Sequence, residues 1–172
     1  DNFDDFLVGA FRNDEGGEES GQAYLFYGKA TGWTKDFSLE NADASFIGET
    51  AGYQAGHVVT GGGDINNDGY DDFLISSPHN SLGSSENGKV YIIFGKESNW
   101  LMDTNLTDVN ASILSDTYDS NFDIAIISDV NGDEYDDILI GVPYYYESLY
   151  QIGKVYLFFG NDSGWSHNID IN

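Results

Sequence analysis

Three features recur along the chain in one register. Asp5, Asp72 and Asp137 lie 67 and 65 residues apart. The aromatic–glycine pairs Tyr27-Gly28, Phe94-Gly95 and Phe159-Gly160 keep the same two intervals, as do Trp33, Trp100 and Trp165. Ala44-Ser45-Phe46-Ile47 is echoed by Ala111-Ser112-Ile113-Leu114. Such a period restricts the chain to architectures in which each unit buries its apolar surface against its neighbours. The 172 residues read as one segment of about 2.6 repeats: approximately 1–63, truncated at its start, 64–128, and 129–172, truncated at its end. The chain opens inside a loop, as expected of a piece excised or processed from a longer protein, with any leader or anchor lost.

The middle repeat reads as four strands. Residues 57–62 and 72–77 are the first two, and the second ends at Pro78. A polar turn over 80–87 precedes a third at 89–94, and a fourth lies near 110–114. All are short runs of Val, Ile, Phe and Tyr broken by Gly, Asn, Asp and Ser. No apolar period of 3.6 residues persists. Plentiful glycine (21) against two prolines agrees with many tight turns in an all-β chain. Four short antiparallel strands per repeat describe a β-propeller blade.

Between the first and second strands stands Asp64-Ile65-Asn66-Asn67-Asp68-Gly69-Tyr70-Asp71-Asp72, with side-chain oxygens at positions 1, 3, 5 and 9 and glycine at 6. Oxygens at alternate positions suit a hard cation, position 7 can add its backbone carbonyl, and glycine permits the sharp turn. Asp129-Val130-Asn131-Gly132-Asp133-Glu134-Tyr135-Asp136-Asp137 repeats the pattern, and Asp1-Asn2-Phe3-Asp4-Asp5 repeats its last third. An EF-hand is excluded, because position 12 is Ile75 or Ile140 where that loop needs a bidentate Glu, and a strand follows instead of a helix. Asp72 or Asp137 has to close the shell. The expected ion is Ca²⁺, held in one site by Asp64, Asn66, Asp68, Asp72 and the Tyr70 carbonyl. A second site comprises Asp129, Asn131, Asp133, Asp137 and the Tyr135 carbonyl, and a third, partial one comprises Asp1, Phe3 and Asp5. Magnesium suits these loops less, since it keeps waters and demands strict octahedral geometry. At affinities of roughly 10⁻⁴ to 10⁻³ M, millimolar calcium stabilises each site by about 0.5–1.5 kcal/mol. The alternative is a set of Asx-turns that need no metal.

Charge excludes one class of partner. Six basic residues against thirty acidic ones give a net −24, unsuited to nucleic acid. Three Ca²⁺ would leave −18, so the remaining acidity reads as a solvated surface. The absence of cysteine excludes disulfides and zinc–thiolate sites, and no apolar run is long enough for a membrane span.

The combined motifs resemble FG-GAP repeats, the units of the β-propeller in integrin α subunits and related prokaryotic surface proteins. The "FG" stands at Phe94-Gly95 and Phe159-Gly160, with Tyr27-Gly28 as a variant. The "GAP" stands at Gly141-Val142-Pro143, more loosely at Ser76-Ser77-Pro78 and Gly9-Ala10-Phe11. The resemblance implies three strands in the first blade (about 5–10, 22–28 and 43–48), four in the second, and three in the third (about 122–128, 137–142 and 153–159). That is fewer than the four to eight blades that close a propeller, so strand edges and a raw blade face are exposed and invite association. The sequence departs from the pattern at Glu134 and Asn2, which replace the loop glycine. A left-handed Glu costs on the order of 1 kcal/mol, which predicts a weaker or distorted third-repeat site.

Catalytic constellations are scarce. His57, His79 and His167 stand in different contexts, and His79 beside Ser81, Ser84 and Ser85 is a commonplace serine-rich loop. The acids group into loops better suited to metal than to paired carboxylate catalysis. The segment Pro143 to Tyr150 carries Tyr144, Tyr145, Tyr146 and Tyr150 between the second and third strands of its repeat. The resemblance places it on the ligand face, opposite the calcium loops. Tyrosines suit protein or glycan contacts, or pack on their own blade. Asn105, Asn110 and Asn161 head N-x-S/T sequons and are candidate glycosylation acceptors. The expected function is an extracellular, cell-surface, non-enzymatic adhesion or interaction module. A self-assembling surface-layer, sheath or filament block, and an accessory module of a carbohydrate-active enzyme, are the alternatives.

Overall fold

The computed structural model describes residues 3–79, 87–118 and 122–171. The first sheet holds β1 (Phe6–Ala10), β2 (Gln22–Phe26) and β3 (Ala44–Ile47). The second holds β4 (Val59–Gly63), β5 (Asp72–Ser77) and β6 (Asn87–Ile93). Two residues, β7 (Thr104–Asn105), then run back to the first sheet before β8 (Ala111–Tyr118) completes the second. The third sheet holds β9 (Asp123–Ile127) and β10 (Asp137–Val142). A small hairpin, β11 (Tyr146–Glu147) and β12 (Tyr150–Gln151), interrupts the path to its third strand, β13 (Lys154–Phe158). β14 (Ile169–Asp170) returns to the second sheet. Among the described residues, helix is limited to single 3₁₀ turns at Leu39–Asn41 and Leu106–Asp108. No helix among the described residues is long and apolar enough to cross a membrane.

The three sheets are blades of a partial β-propeller. Equivalent pairs keep one register: Phe6 opposite Phe26, Phe73 opposite Ile93, Ile138 opposite Phe158. Alternation along the strands sends side chains to opposite faces. Leu74, Val90, Ile92 and Ile113 pack with Ile124, Ile138 and Ile140 of the third blade. Phe73, Ile75, Tyr91 and Ile93 pack with Ala23, Leu25 and Phe46 of the first. The middle blade is thus covered on both faces, which is why β5 and β6 read as continuous apolar runs. Phe46, Phe73 and Trp100 close the first interface, with ring centroids 5.3–5.8 Å apart. Lys89, also buried, pairs with Glu49 at 2.6 Å across the same interface.

The two outer blade faces have no such cover among the described residues. On the first, Phe6 stacks on Phe26 at 5.1 Å, with Trp33 and Phe37 against them. On the third, Val155, Leu157 and Phe159 are 65%, 43% and 51% exposed.

Two elements go beyond the sequence reading. After Trp100 and after Trp165 the chain laces parallel to the outer strand of the preceding blade: β7 on β3, and β14 on β8. Strands of two residues carry no periodicity to read. The tyrosine segment, expected as a connection between the second and third strands and a candidate ligand face, forms a hairpin of its own.

Candidate metal centre

Each loop joins the inner strand of its blade to the next, β4 to β5 and β9 to β10, so both stand at the same end of the blades. Both curl their side-chain oxygens onto their own backbone. In the first, Asp64 accepts the N–H of Asp68 through Oδ1 (3.0 Å) and of Gly69 through Oδ2 (2.8 Å). Asn66 Oδ1 accepts from Asp68 N–H (3.1 Å), and Asp68 Oδ1 accepts from Tyr70 N–H (3.0 Å). In the second, Asp129 accepts the N–H groups of Asn131, Gly132 and Asp133 through Oδ1 and that of Glu134 through Oδ2. Asn131 and Asp133 repeat the bonds of Asn66 and Asp68 (3.0 and 3.2 Å). These amides, that of Glu134 foremost, hold the Asp129 carboxyl below the usual carboxylate range.

The glycine requirement is distributed differently from the sequence reading. Positions 4 and 6 both have positive φ: Asn67 (57°) and Gly69 (90°) in one loop, Gly132 (82°) and Glu134 (75°) in the other. Each loop places glycine at one of these positions and a larger residue at the other. Glu134 therefore takes the left-handed conformation, and the hydrogen-bond frame around it matches that of the first loop.

Of the oxygen-bearing residues of each loop, the ninth is the best buried. Asp72 and Asp137 are 1% and 0% exposed. Asp72 Oδ1 accepts from Gly95 N–H (2.7 Å) and Oδ2 from Ile65 N–H (2.9 Å). Asp137 accepts from Gly160 and Val130 in the same way, both at 2.9 Å. In the first blade Asp5 Oδ1 takes the N–H of Gly28 at 2.8 Å. The ninth carboxylate thus locks the loop onto the FG glycine. Burial pushes the Asp72 carboxyl up to about 7 against the pull of the Gly95 and Ile65 amides, and neighbouring Asp68 and Asp64 add to the rise.

Among the described residues no three acidic, histidine or cysteine side chains form a ready-made metal cluster. Instead, Asn66 Nδ2 donates to Asp68 Oδ2 (2.8 Å), and Asn131 Nδ2 to Asp133 Oδ2 (2.7 Å), closing each loop on itself. The donor chemistry still suits a hard cation. Every candidate side chain offers oxygen, and the ion pairs Arg12–Glu19 and Lys89–Glu49 lie away from the loops. The partial third site is only partly visible: Phe3 is exposed, Asp5 is held by Gly28, and Asp1 lies outside the described residues.

Asp136 was not singled out in the sequence. It binds Asp129 N–H through Oδ1 (3.2 Å) and Asp64 N–H through Oδ2 (2.9 Å), tying one loop to the next. An acid recurs at this position as Asp4, Asp71 and Asp136, which is the signal that could have found it.

The tyrosines divide at the opposite end of β10. Tyr145 packs against the core, with Lys154 Nζ 4.7 Å from its ring centroid. Tyr144, Tyr146 and Tyr150 are exposed, as is Leu149 at the hairpin tip (91%). The sequon asparagines each hold backbone through Oδ1: Asn105 caps Thr107 N–H (2.9 Å), Asn110 accepts Phe94 N–H (2.9 Å) and Asn161 accepts Ser163 N–H (3.2 Å). Asn161 Nδ2 also donates to Phe159 O (3.2 Å), whereas Nδ2 is the atom a glycan would occupy. Ser81, Ser84 and Ser85 lie outside the described residues. His57 sits edge-on to Phe11 at 5.2 Å.

The fold and its loops define a class: a partial β-propeller whose blades carry oxygen-rich loops between their first two strands. Residues 55–93 and 121–158 match the FG-GAP repeat. These two stretches are FG-GAP repeats, and the chain is integrin α-like. It is 31% identical to integrin alpha-6 of Homo sapiens over 125 residues, covering 71% of this chain and 10% of that protein. Integrin alpha-PS2 of Drosophila melanogaster is 32% identical over 140 residues, 74% of this chain and 9% of that one. Phosphatidylinositol-glycan-specific phospholipase D of Bos taurus is 29% identical over 174 aligned positions, 95% of this chain and 19% of that one. The chain thus spans about a tenth of the length of the integrin relatives it matches.

Proposed function

We propose that the chain is a calcium-stabilised, non-catalytic propeller module of a cell-surface or extracellular protein, serving adhesion through protein or glycan contacts. The repeated loop frame carries this reading: two oxygen-rich loops with one hydrogen-bond pattern and a buried ninth aspartate. Asp64, Asn66, Asp68, Asp72 and the Tyr70 carbonyl would hold one Ca²⁺. Asp129, Asn131, Asp133, Asp137 and the Tyr135 carbonyl would hold the other. The ion would neutralise the clustered carboxylates and fix the blade end. In this reading its role is structural. The similarity to integrin α subunits supports adhesion, and the exposed Tyr144, Tyr146 and Tyr150 supply a surface suited to contact.

The test is binding of the chain to arrayed glycans and matrix proteins in millimolar calcium. The Tyr146→Ala/Tyr150→Ala variant is expected to lose binding at least tenfold with an unchanged melting temperature. Undiminished binding by that variant removes the hairpin from the interface.

Two other readings each have support. The exposed outer faces, Trp33 and Phe37 at one side and Val155 and Leu157 at the other, favour self-association into a surface layer or filament. Calcium-dependent growth in light scattering is its signature. The match to a protein named as a phospholipase, across 95% of this chain but 19% of that protein, favours an accessory module borne by an enzyme.

A further inference from the structure

Five of the six cations of this chain stand over aromatic rings. Lys29 Nζ lies 4.7 Å from the ring centroid of Trp33, and Lys96 Nζ, one repeat later, 4.4 Å from that of Trp100. Lys89 stands over Tyr91 at 4.9 Å, and Lys154, again one repeat later, over Tyr156 at 4.4 Å. Arg12 is 5.6 Å from the Phe11 ring. The sixth, Lys35, is exposed. The lysine seats recur at repeat positions, so they belong to the packing of each blade and not to the charge balance of the surface. The acids are placed differently. Even with every cation paired, 24 of the 30 acids have no counter-charge within the chain. Among the described residues, Lys89–Glu49 at 2.6 Å is a buried pair, and Arg12–Glu19 at 3.7 Å is an exposed, looser one. Outside the loops of the candidate metal centre, Asp14, Glu15, Glu18, Asp36, Glu40 and Glu97 all face solvent. Several acids are also adjacent in the chain, as in Asp14-Glu15, Glu18-Glu19 and Asp136-Asp137. Their Cα atoms are about 3.8 Å apart, well inside the screening length of about 8 Å at physiological ionic strength. Only near 1 M, where that length falls to about 3 Å, is such repulsion screened.

We infer that the folded chain depends on a dense atmosphere of bulk monovalent cations and is built for a strongly saline medium. No discrete site is involved. Folding gathers the acids of successive blades onto one compact surface, whereas the unfolded chain lets them move apart, so self-repulsion acts against the fold. Salt screens that repulsion, and stability rises with it. The ring-seated cations suit the same medium. Exposed ion pairs weaken in salt, while contacts of a cation with a partly buried ring are screened much less. Two Ca²⁺ in the loops would offset only four of the 24 charges, so the dependence stands whether or not the loops are filled.

The test is thermal melting of the whole chain in chelator, with KCl raised from about 0.05 to about 2 M. It is run beside a variant carrying Glu15→Gln, Glu18→Gln, Glu40→Gln and Glu97→Gln, all at exposed positions. The chain is expected to melt about 10 °C higher, or more, at the top of the range. The variant is expected to melt above the parent in low salt and to gain about 30% less from KCl, because self-repulsion scales with the square of the net charge. Guanidinium chloride and urea, compared at equal concentrations below about 0.5 M, give a reading that needs no variant. Guanidinium also screens charge, so it is expected to raise the melting temperature or to lower it less than urea does. A melting temperature that stays flat or falls with KCl overturns the proposal. So does an equal gain in the variant, which would mark the rise as the general strengthening of apolar burial by salt. Guanidinium that lowers the melting temperature more than urea overturns it as well.

Discussion

Asp136 and Asp64 are joined twice. The N–H of Asp64 donates to Asp136 Oδ2 at 2.9 Å, and the N–H of Asp136 donates to the Asp64 carbonyl at 3.1 Å. The other carboxylate oxygen of Asp136 holds Asp129 N–H, so one side chain clamps the first residue of two successive loops. Hydrogen bonds to charged groups contribute about 1.5–3 kcal/mol each. Asp136→Ala is therefore expected to cost about 2–4 kcal/mol in chemical denaturation, even in chelator, by the sum of two weakened bonds of that kind. Asp71→Ala, at the equivalent but exposed position, is expected to cost under about 1 kcal/mol.

Asp68 and Asp72 belong to one loop but separate two roles. The bonds of Asp68 are exposed, whereas Asp72 is buried and accepts two backbone amides. Asp68→Ala is expected to lower the melting temperature mainly in calcium. Asp72→Ala is expected to destabilise in chelator as well, by roughly 2–4 kcal/mol for two stranded buried donors, and further in calcium, where a ligand is lost too. Equal losses for Asp68→Ala in both buffers would remove that side chain from cation binding.

The FG glycine has a steric reason. A Cβ on Gly95 would press on the Asp71 carbonyl oxygen and stand 2.7 Å from Tyr70 Cβ. Gly28 and Gly160 meet the corresponding atoms of Asp4 and Phe3, and of Asp136 and Tyr135. Gly95→Ala forces the loop off its glycine and weakens the bond to Asp72, and is expected to destabilise by about 1–3 kcal/mol. Thermal denaturation measures it, and a neutral substitution would show that the loop does not seat there.

His57 supplies a pH signature away from the loops. Desolvation of its ring is the larger cause, and the neighbouring His79 the smaller, of a pKa below the ordinary 6.5. The folded state favours the neutral ring. Above about 6.5 both states are neutral and the His57 contribution is fully present. As pH falls the unfolded chain takes the proton first, and stability is lost until pH passes the folded pKa. NMR titration is expected to give His57 a midpoint below 6.5 that moves upward in His79→Ala. A midpoint at or above 6.5 would contradict the packing.

What the sequence revealed depended on how local each signal was. β5 and β10 were legible because apolar runs begin directly after Asp-rich loops, and the loops because oxygen at alternate positions is a local pattern. β7 and β14 were not, since each acquires its partner about 57 residues away and has only two residues to show for it. Glu134 does replace the glycine of position 6 and is left-handed, but the compensating glycine at position 4, Gly132, is not legible from one loop alone, because φ is set by the closed loop and not by the residue alone. Asp136 was passed over because its second partner, Asp64, belongs to the preceding repeat. The four tyrosines looked alike in sequence, and only the hairpin turn decides that Tyr145 faces the core while Tyr146 and Tyr150 face solvent.

Calorimetric titration of the metal-stripped chain with Ca²⁺, paired with melting curves in calcium and in chelator, tests the central claim most directly. The expected result is at least two ions bound per chain with a higher melting temperature in calcium, and loss of one site in Asp64→Ala/Asp68→Ala. No heat of binding at millimolar calcium, with superimposable melting curves, would mean that the loops are Asx-turns closed by their own amides and asparagines.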